Sequence, residues 1–232
     1  MDQRVLQLQF LQKLNKMIKN IFFDFDGVIA DSVNVKTEAF EQLYREFGDD
    51  IAKKVVEHHL GNGGMSRFEK FKFYHKKFLN IDLDEKDVQH WANRFSNLVK
   101  QGVIDAPEVK GSHSFLKEFK DKFTMFIITG TPTNESKEIC KERGIYDCFK
   151  GIYGSPEKKG FWSKYLLETY KLKSSETIFV GDALADYNAA KENKLAFYLR
   201  QNEENHLLFK NTHDVIRFSD FYEFKNLIIN KV

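Results

Sequence analysis

Short apolar runs that close on glycine or an acid recur along the chain. Ile21–Phe25 runs into acid and Gly27, Thr124–Thr129 into Gly130, and Thr177–Val180 into Gly181 and Asp182. Leu195–Leu199 is a fourth run, and a weaker one, Gly151–Tyr153, precedes Gly154. Runs this short, apolar throughout and bounded by turn residues, predict strands buried on both faces. Between them the period lengthens to that of helices. Ser112–Lys120 presents Phe115, Leu116 and Phe119, and Ser163–Tyr170 presents Leu166, Leu167 and Tyr170. Pro132–Arg143 is predicted to start with Thr131 as N-cap and Pro132 at the first helical position, and to stop at Gly144. Strands alternating with helices predict an α/β fold: a Rossmann-like parallel sheet covered on both faces.

Residues 33–105 read differently, as helix after helix without a strand. Phe40, Leu43, Tyr44 and Phe47 keep one helical face until Gly48, and Val55, Val56, His59 and Leu60 form another before Gly61. Asp84 is placed to cap a helix with Val88, Trp91, Ala92, Phe95, Leu98 and Val99 on its inner face. The block at 33–105 is therefore expected to be a separate small α-helical domain, inserted into an α/β core made of 17–32 and 106–232. Residues 1–16 are an N-terminal extension with no assigned role. Apolar positions from Leu6 to Ile18 allow an amphipathic helix there, and Met17 reads as a natural beginning. At the other end, Phe209, Ile216, Phe218, Phe221 and Phe224 predict a last strand or helix against the sheet.

Composition narrows the function classes. With 30% charged and 42% apolar residues and a net charge of +2, the chain reads as soluble and globular, with neither nucleic acid nor membrane as a partner. Aromatic residues reach 15%, spread along the chain as core filler. Cys140 and Cys148 form no metal-type spacing and read as ordinary thiols, which points to a reducing cytoplasm. No run approaches the roughly 20 apolar residues of a membrane span, and the N-terminus lacks the apolar stretch of a signal peptide.

The candidate chemistry lies at the strand ends. Asp24 and Asp26 end the first strand, Thr129 ends the second, and Asp182 and Asp186 follow the third. Ligands of open parallel sheets bind at the carboxyl ends of strands, so these groups would share one rim. Taken singly each has an ordinary reading: a turn, a loop with solvated acids, a helix cap. Up to four carboxylates in one pocket would raise one another's pKa unless a cation sat among them. Oxygen-only ligation favours Mg²⁺, with a phosphate supplying a further oxygen.

These motifs resemble those of the haloacid dehalogenase superfamily. DFDGV at Asp24–Val28 is similar to its DxDx[TV] motif, ITG at Ile128–Gly130 to the second, Lys158 or Lys159 to the third, and GDALAD at Gly181–Asp186 to GDxxxD. The GSPxxK register of Gly154–Lys159 selects Lys159. The resemblance implies Asp24 as nucleophile, forming an aspartyl-phosphate, and Asp26 as general acid and then base. It implies Thr129, Gly130 and Lys159 at the phosphate, Mg²⁺ on Asp24, the Asp26 main chain and Asp182, and Asp186 orienting the lysine or a metal water. The helical insertion resembles the family's cap. Its turn Gly61–Arg67 either brings Arg67, with Asn62, to the substrate, or is a helix connection with Ser66 as N-cap and Arg67 in solvent.

The function implied is a Mg²⁺-dependent phosphomonoesterase of a small metabolite, of the sugar-phosphate or phosphoglycolate type. The partner is then a small phosphate ester, and the oligomeric state is not readable. Asp26 argues against dehalogenation, since halide leaves without a proton. A sugar phosphomutase of the β-phosphoglucomutase type would usually carry Glu-Asp where this chain has Gly181-Asp182. A non-catalytic binding protein on the same fold would be expected to have lost a chemical residue.

Overall fold

Phe22 and Phe23, neighbours on the first strand, leave it on opposite sides and define the two faces of a sheet. In the computed structural model, which describes residues 18–229, this strand is β1 (Asn20–Phe23), and all of it is buried. The proposed extension at 1–16 and the start at Met17 lie outside the described residues. Phe22 meets Phe126 and Phe179 edge-on at 5.6 and 6.4 Å, whereas Phe23 lies against Phe115, Phe221 and Phe224 on the other face.

The sheet holds β2 (Thr124–Pro132), β3 (Gly151–Ser155), β4 (Thr177–Gly181), β5 (Ala196–Arg200) and β6 (Ile216–Phe218), in the order β3-β2-β1-β4-β5-β6 with every pairing parallel. This is a Rossmann-like arrangement. The order reverses at β1, between β2 and β4, and opens a crevice at the carboxyl ends of these strands.

The chain leaves β1 through four helices before it returns to the core: α1 (Val33–Tyr44), α2 (Asp49–Gly61), α3 (Arg67–Tyr74) and α4 (Glu85–Asp105). They build the small helical cap, whose core is aromatic. Phe40 lies 4.2 Å from Phe95 and 5.5 Å from Phe71 between ring centroids. Each such ring, fully buried, stabilises by about 1.5–3 kcal/mol. The α1 face is built by Ala39, Phe40, Leu43 and Tyr44; Phe47 falls on a following 3₁₀ turn that Gly48 ends at φ 103°. Asp84 caps α4, accepting from the Asp87 amide at 2.8 Å. Ser66 caps α3, accepting from the Glu69 amide at 3.2 Å.

The core helices are α5 (Ser112–Phe119), α6 (Thr133–Glu142), α7 (Lys159–Thr169), α8 (Leu184–Glu192) and α9 (Phe221–Ile228). The tail thus supplies both a strand, β6, and a helix, α9, against the Phe23 face. Arg143, just after α6, donates to the carbonyls of Val103, Ile104 and Ala106. It thereby satisfies the open end of α4 where the cap rejoins the core. No helix among the described residues is long and apolar enough to cross a membrane.

The start of α6 departs from expectation. Thr131 is not its N-cap and Pro132 is not its first helical residue. β2 continues through Pro132, whose backbone is extended, and the helix begins at Thr133. The pairing Pro132↔Ser155 holds the strand there, which leaves the Thr131 hydroxyl free for a different task.

Candidate active site

β1 ends by handing its last amide to the neighbouring strand: Asp24 N–H donates to the Val180 carbonyl at 2.9 Å. This fixes the Asp24 carboxylate at the crevice, buried. β4 delivers Asp182 to the same place, and the first turn of α8 delivers Asp186. One oxygen from each of Asp24, Asp182 and Asp186 lies within 4.8 Å of the others. Gly27 makes this crowding feasible. It stands at φ 75°, and a Cβ there would fall 2.0 Å from Asp182 Oδ2. The glycine of DFDGV therefore makes room for the aspartate of GDALAD.

Among the described residues, one ammonium reaches this cluster. Lys159 Nζ, at the start of α7, lies 2.8 Å from Asp24 Oδ2 and 2.6 Å from Asp186 Oδ1. Its neighbour Lys158 is exposed and faces Glu69 at 3.5 Å. The other Asp186 oxygen accepts from the Ala183 amide at 3.1 Å. Burial alone would lower the Lys159 pKa, but Asp186 and Asp24 outweigh it and hold it above its ordinary value. Burial first, then the charges of Asp24 and Asp186, push Asp182 well up. Burial and Asp24 likewise raise Asp186 to about 7, against the pull of Lys159. Asp24 Oδ1 is buried with no hydrogen-bond partner.

Asp26 lies outside this cluster. It accepts from Ser32 Oγ at 2.7 Å and from Thr131 Oγ1 at 3.3 Å, and pairs with Lys36, which comes down from α1 and also donates to Thr131 Oγ1 at 2.7 Å. Burial raises the Asp26 pKa, but Lys36 and Ser32 more than offset this and leave it below the usual value. Thr129 is buried, and its Oγ1 accepts from the Thr131 amide at 3.2 Å, which leaves its hydroxyl hydrogen to donate elsewhere. Gly130 sits directly under the cap: a Cβ on it would come 2.8 Å from the Gly64 carbonyl. A cavity of about 220 Å³ lies between the strand ends and the cap turn, and Asp24, Asp26, Thr129, Gly130 and Asp182 line it from below.

The cap turn lines it from above with Gly63, Gly64 and Met65. Asn62 lies off this wall, donating to the His58 carbonyl at 2.9 Å at the end of α2. Arg67 does line the cavity and is 3% exposed, so it is not a solvated residue. Its guanidinium is engaged by Glu135 of α6, at 2.6 and 2.9 Å, while Ser96 of α4 donates to the same carboxylate at 2.6 Å. Cap and core are joined by this buried fork. Arg67→Ala should cost roughly 3–5 kcal/mol, as expected when one partner of a buried pair is removed. Chemical denaturation should show that loss, and Arg67→Met with Glu135→Leu should recover much of it. Equal losses in the single and double variants would reject the pairing as its cause.

Lys36, Thr131, Glu135, His59 and Lys70 also belong to this region, and the sequence motifs assign none of them a role at the site. A signal existed for two of them. Lys36 lies four residues before Phe40 on the buried stripe of α1, and Lys70 follows Arg67 by three and precedes Tyr74 by four on that of α3. A cation on an apolar stripe is the feature to look for.

A parallel α/β core with a clustered acid site under a helical cap defines a hydrolase suited to phosphoryl groups. The chain belongs to the haloacid dehalogenase-like hydrolases, whose family model matches residues 21–199. It is 30% identical over 183 residues to the phosphoglycolate phosphatase of Vibrio parahaemolyticus serotype O3:K6, covering 75% of this chain and 79% of that protein. The fold is similar to a crystal structure of a predicted phosphoglycolate phosphatase from Haemophilus somnus 129PT, with TM-score 0.70, 18% identity and coverage of 92% and 99%. It is also similar to β-phosphoglucomutase from Clostridium difficile, with TM-score 0.72, 21% identity and coverage of 90% and 94%. The chain is thus a phosphatase of this family, and its substrate is a small phosphate ester.

Proposed function

We propose that the protein is a Mg²⁺-dependent phosphomonoesterase of a small metabolite, of the phosphoglycolate or sugar-phosphate type, acting through an aspartyl-phosphate on Asp24. The observation that carries this reading is the state of Asp24. One of its oxygens is held by Lys159, and the other is buried without a partner beside Asp182. The donor set fits a hard cation, since three carboxylates face one ammonium. Asp24, Asp182 and the Asp26 main-chain carbonyl would hold Mg²⁺, while Asp186, with both oxygens already engaged, orients Lys159. The ion supplies positive charge against that of the carboxylates and the phosphate.

In the first step an Asp24 oxygen attacks phosphorus, the ester O–P bond breaks, and Asp26 gives a proton to the departing alkoxide. In the second, Asp26 takes a proton from water as that water attacks phosphorus, which frees Asp24 and releases phosphate. The Lys36 pairing favours the ionised Asp26, the form needed for the second step, so the first requires that contact to open. Thr129, the Gly130 amide and Lys159 hold the phosphoryl oxygens. The cap turn on Gly130 closes the site from water. Gly181 leaves the chain without the acidic residue that the mutase reading calls for. The compartment proposed is the cytoplasm.

A panel of phosphorylated metabolites tests this reading. Phosphate release should appear with Mg²⁺, stop in EDTA and return when Mg²⁺ is restored. Undiminished turnover in EDTA would overturn the metal assignment. The absence of turnover on any ester would favour a binding protein.

A further inference from the structure

The cavity wall carries four cationic side chains, if Lys159 at its margin is counted, and three of them are neutralised. Lys36 faces Asp26, Arg67 faces Glu135, and Lys159 faces Asp24 and Asp186. Lys70 is the exception: among the described residues it takes part in no ion pair. It is nevertheless 2% exposed and lines the cavity from α3. Its Nζ donates to His59 Nδ1 at 2.8 Å, reaches the His59 carbonyl at 3.4 Å and lies 5.5 Å from the centre of the Phe40 ring. His59 lines the same cavity and is itself buried. While Lys70 is an ammonium it can only donate, so Nδ1 accepts and the hydrogen of a neutral His59 ring is on Nε2.

An ammonium held in an aromatic wall without a counter-charge is unfavourable in the empty protein and attractive to an anion. The phosphoryl site proposed above, at Asp24 and Thr129 with Lys159 on Asp24, belongs to the core side of the cavity, whereas Lys70 and His59 belong to its cap side. We propose that Lys70, with His59, forms a second anion subsite in the cap, and that the substrate carries a further negative group, a carboxylate or a second phosphate, which binds there. This deepens the function proposed above and rests on it. Burial, and then repulsion from Lys36, lower the Lys70 pKa to about 7, so a bound anion would also hold the proton on it. A neutral His59, its own pKa lowered by burial and by Lys70, is consistent with this arrangement.

The test compares kcat/KM for 2-phosphoglycolate, ethylene glycol bisphosphate and 2-hydroxyethyl phosphate, whose tail is neutral. The wild type should prefer an anionic tail, and whichever of the first two it prefers identifies the group. In Lys70→Met the ratio of anionic to neutral kcat/KM should fall roughly 10- to 100-fold, as for loss of one charge-assisted hydrogen bond. The change should lie mainly in KM. A ratio taken within one preparation is insensitive to a partly misfolded sample, and Lys70→Gln provides a second variant. An unchanged ratio, or a wild type that prefers the neutral tail, would overturn the subsite. If the wild type cleaves none of the three, the substrate class proposed above fails separately, and melting temperature reads the subsite. A larger shift with 2-phosphoglycolate than with 2-hydroxyethyl phosphate, lost in Lys70→Met, supports it; equal shifts overturn it.

Discussion

Asp24→Asn should lower kcat for every accepted phosphomonoester by roughly 10⁴-fold or more, the scale on which removal of a nucleophile acts. The amide is nearly isosteric, and Lys159 keeps Asp186 as a partner, so the fold should survive. Stability should hold or rise, because Asp182 loses one of the charges that repel it. Asp26→Asn should cost less, roughly 10²–10⁴-fold, as for loss of a general acid–base group. The two variants differ in kind as well as size. p-Nitrophenolate leaves without needing a proton, so Asp26→Asn should still form the aspartyl-phosphate from p-nitrophenyl phosphate and then stall. A burst of p-nitrophenol close to one per enzyme, with label retained on the protein, should appear in Asp26→Asn and be absent in Asp24→Asn. Substantial turnover by Asp24→Asn would remove Asp24 from the mechanism altogether.

The roles that can be read along the chain and those that cannot differ for a physical reason. Asp24 and Asp26 lie on one strand end, and Asp182 and Asp186 lie within one turn, so local spacing fixes their placement. The capping by Asp84 and the helix break at Gly48 are local in the same way. Thr131 shows where locality stops. Its sequence context suits a helix cap, yet pairing of β2 with β3 extends the strand past it, and its hydroxyl serves Asp26 and Lys36 instead. The Lys36–Asp26 contact joins cap to core, and the Arg67–Glu135 fork spans 68 positions. Such contacts depend on how the cap is set on the sheet, which no periodicity reports. The sequence offers Arg67 two roles, substrate ligand or solvated residue. It is buried in a fork that ties cap to core, a third possibility that appears only once α3, α4 and α6 are brought together.

Lys159→Met should produce the second large effect, in stability as well as rate. Its ammonium is the positive charge in direct contact with the buried cluster, with side-chain exposures of 4% for Lys159, 5% for Asp24 and 0% for Asp186. Removing it leaves these carboxylates facing one another in a poorly solvated site, at a cost of roughly 3–5 kcal/mol. Loss of a positive charge from the phosphoryl site should lower kcat by roughly 10²–10³-fold or more. The pH dependence gives the loss a signature in metal-free protein. Asp186 is raised in the folded state to about 7, so below its unfolded value it imposes no penalty; the penalty accumulates as pH rises from that value to about 7 and levels off above it. Without Lys159 the carboxyl should hold its proton to still higher pH, and stability should fall more steeply above neutrality. Denaturation in EDTA at pH 5 and pH 8 should therefore show the variant much closer to wild type at pH 5. Mg²⁺ should offset part of the deficit at pH 8, because a cation among the carboxylates replaces some of the lost charge. Lys158→Met, which alters an exposed neighbour, should show none of this. A Lys159→Met deficit equal at both pH values would mean that the lysine serves the fold through packing and does not neutralise the acid cluster.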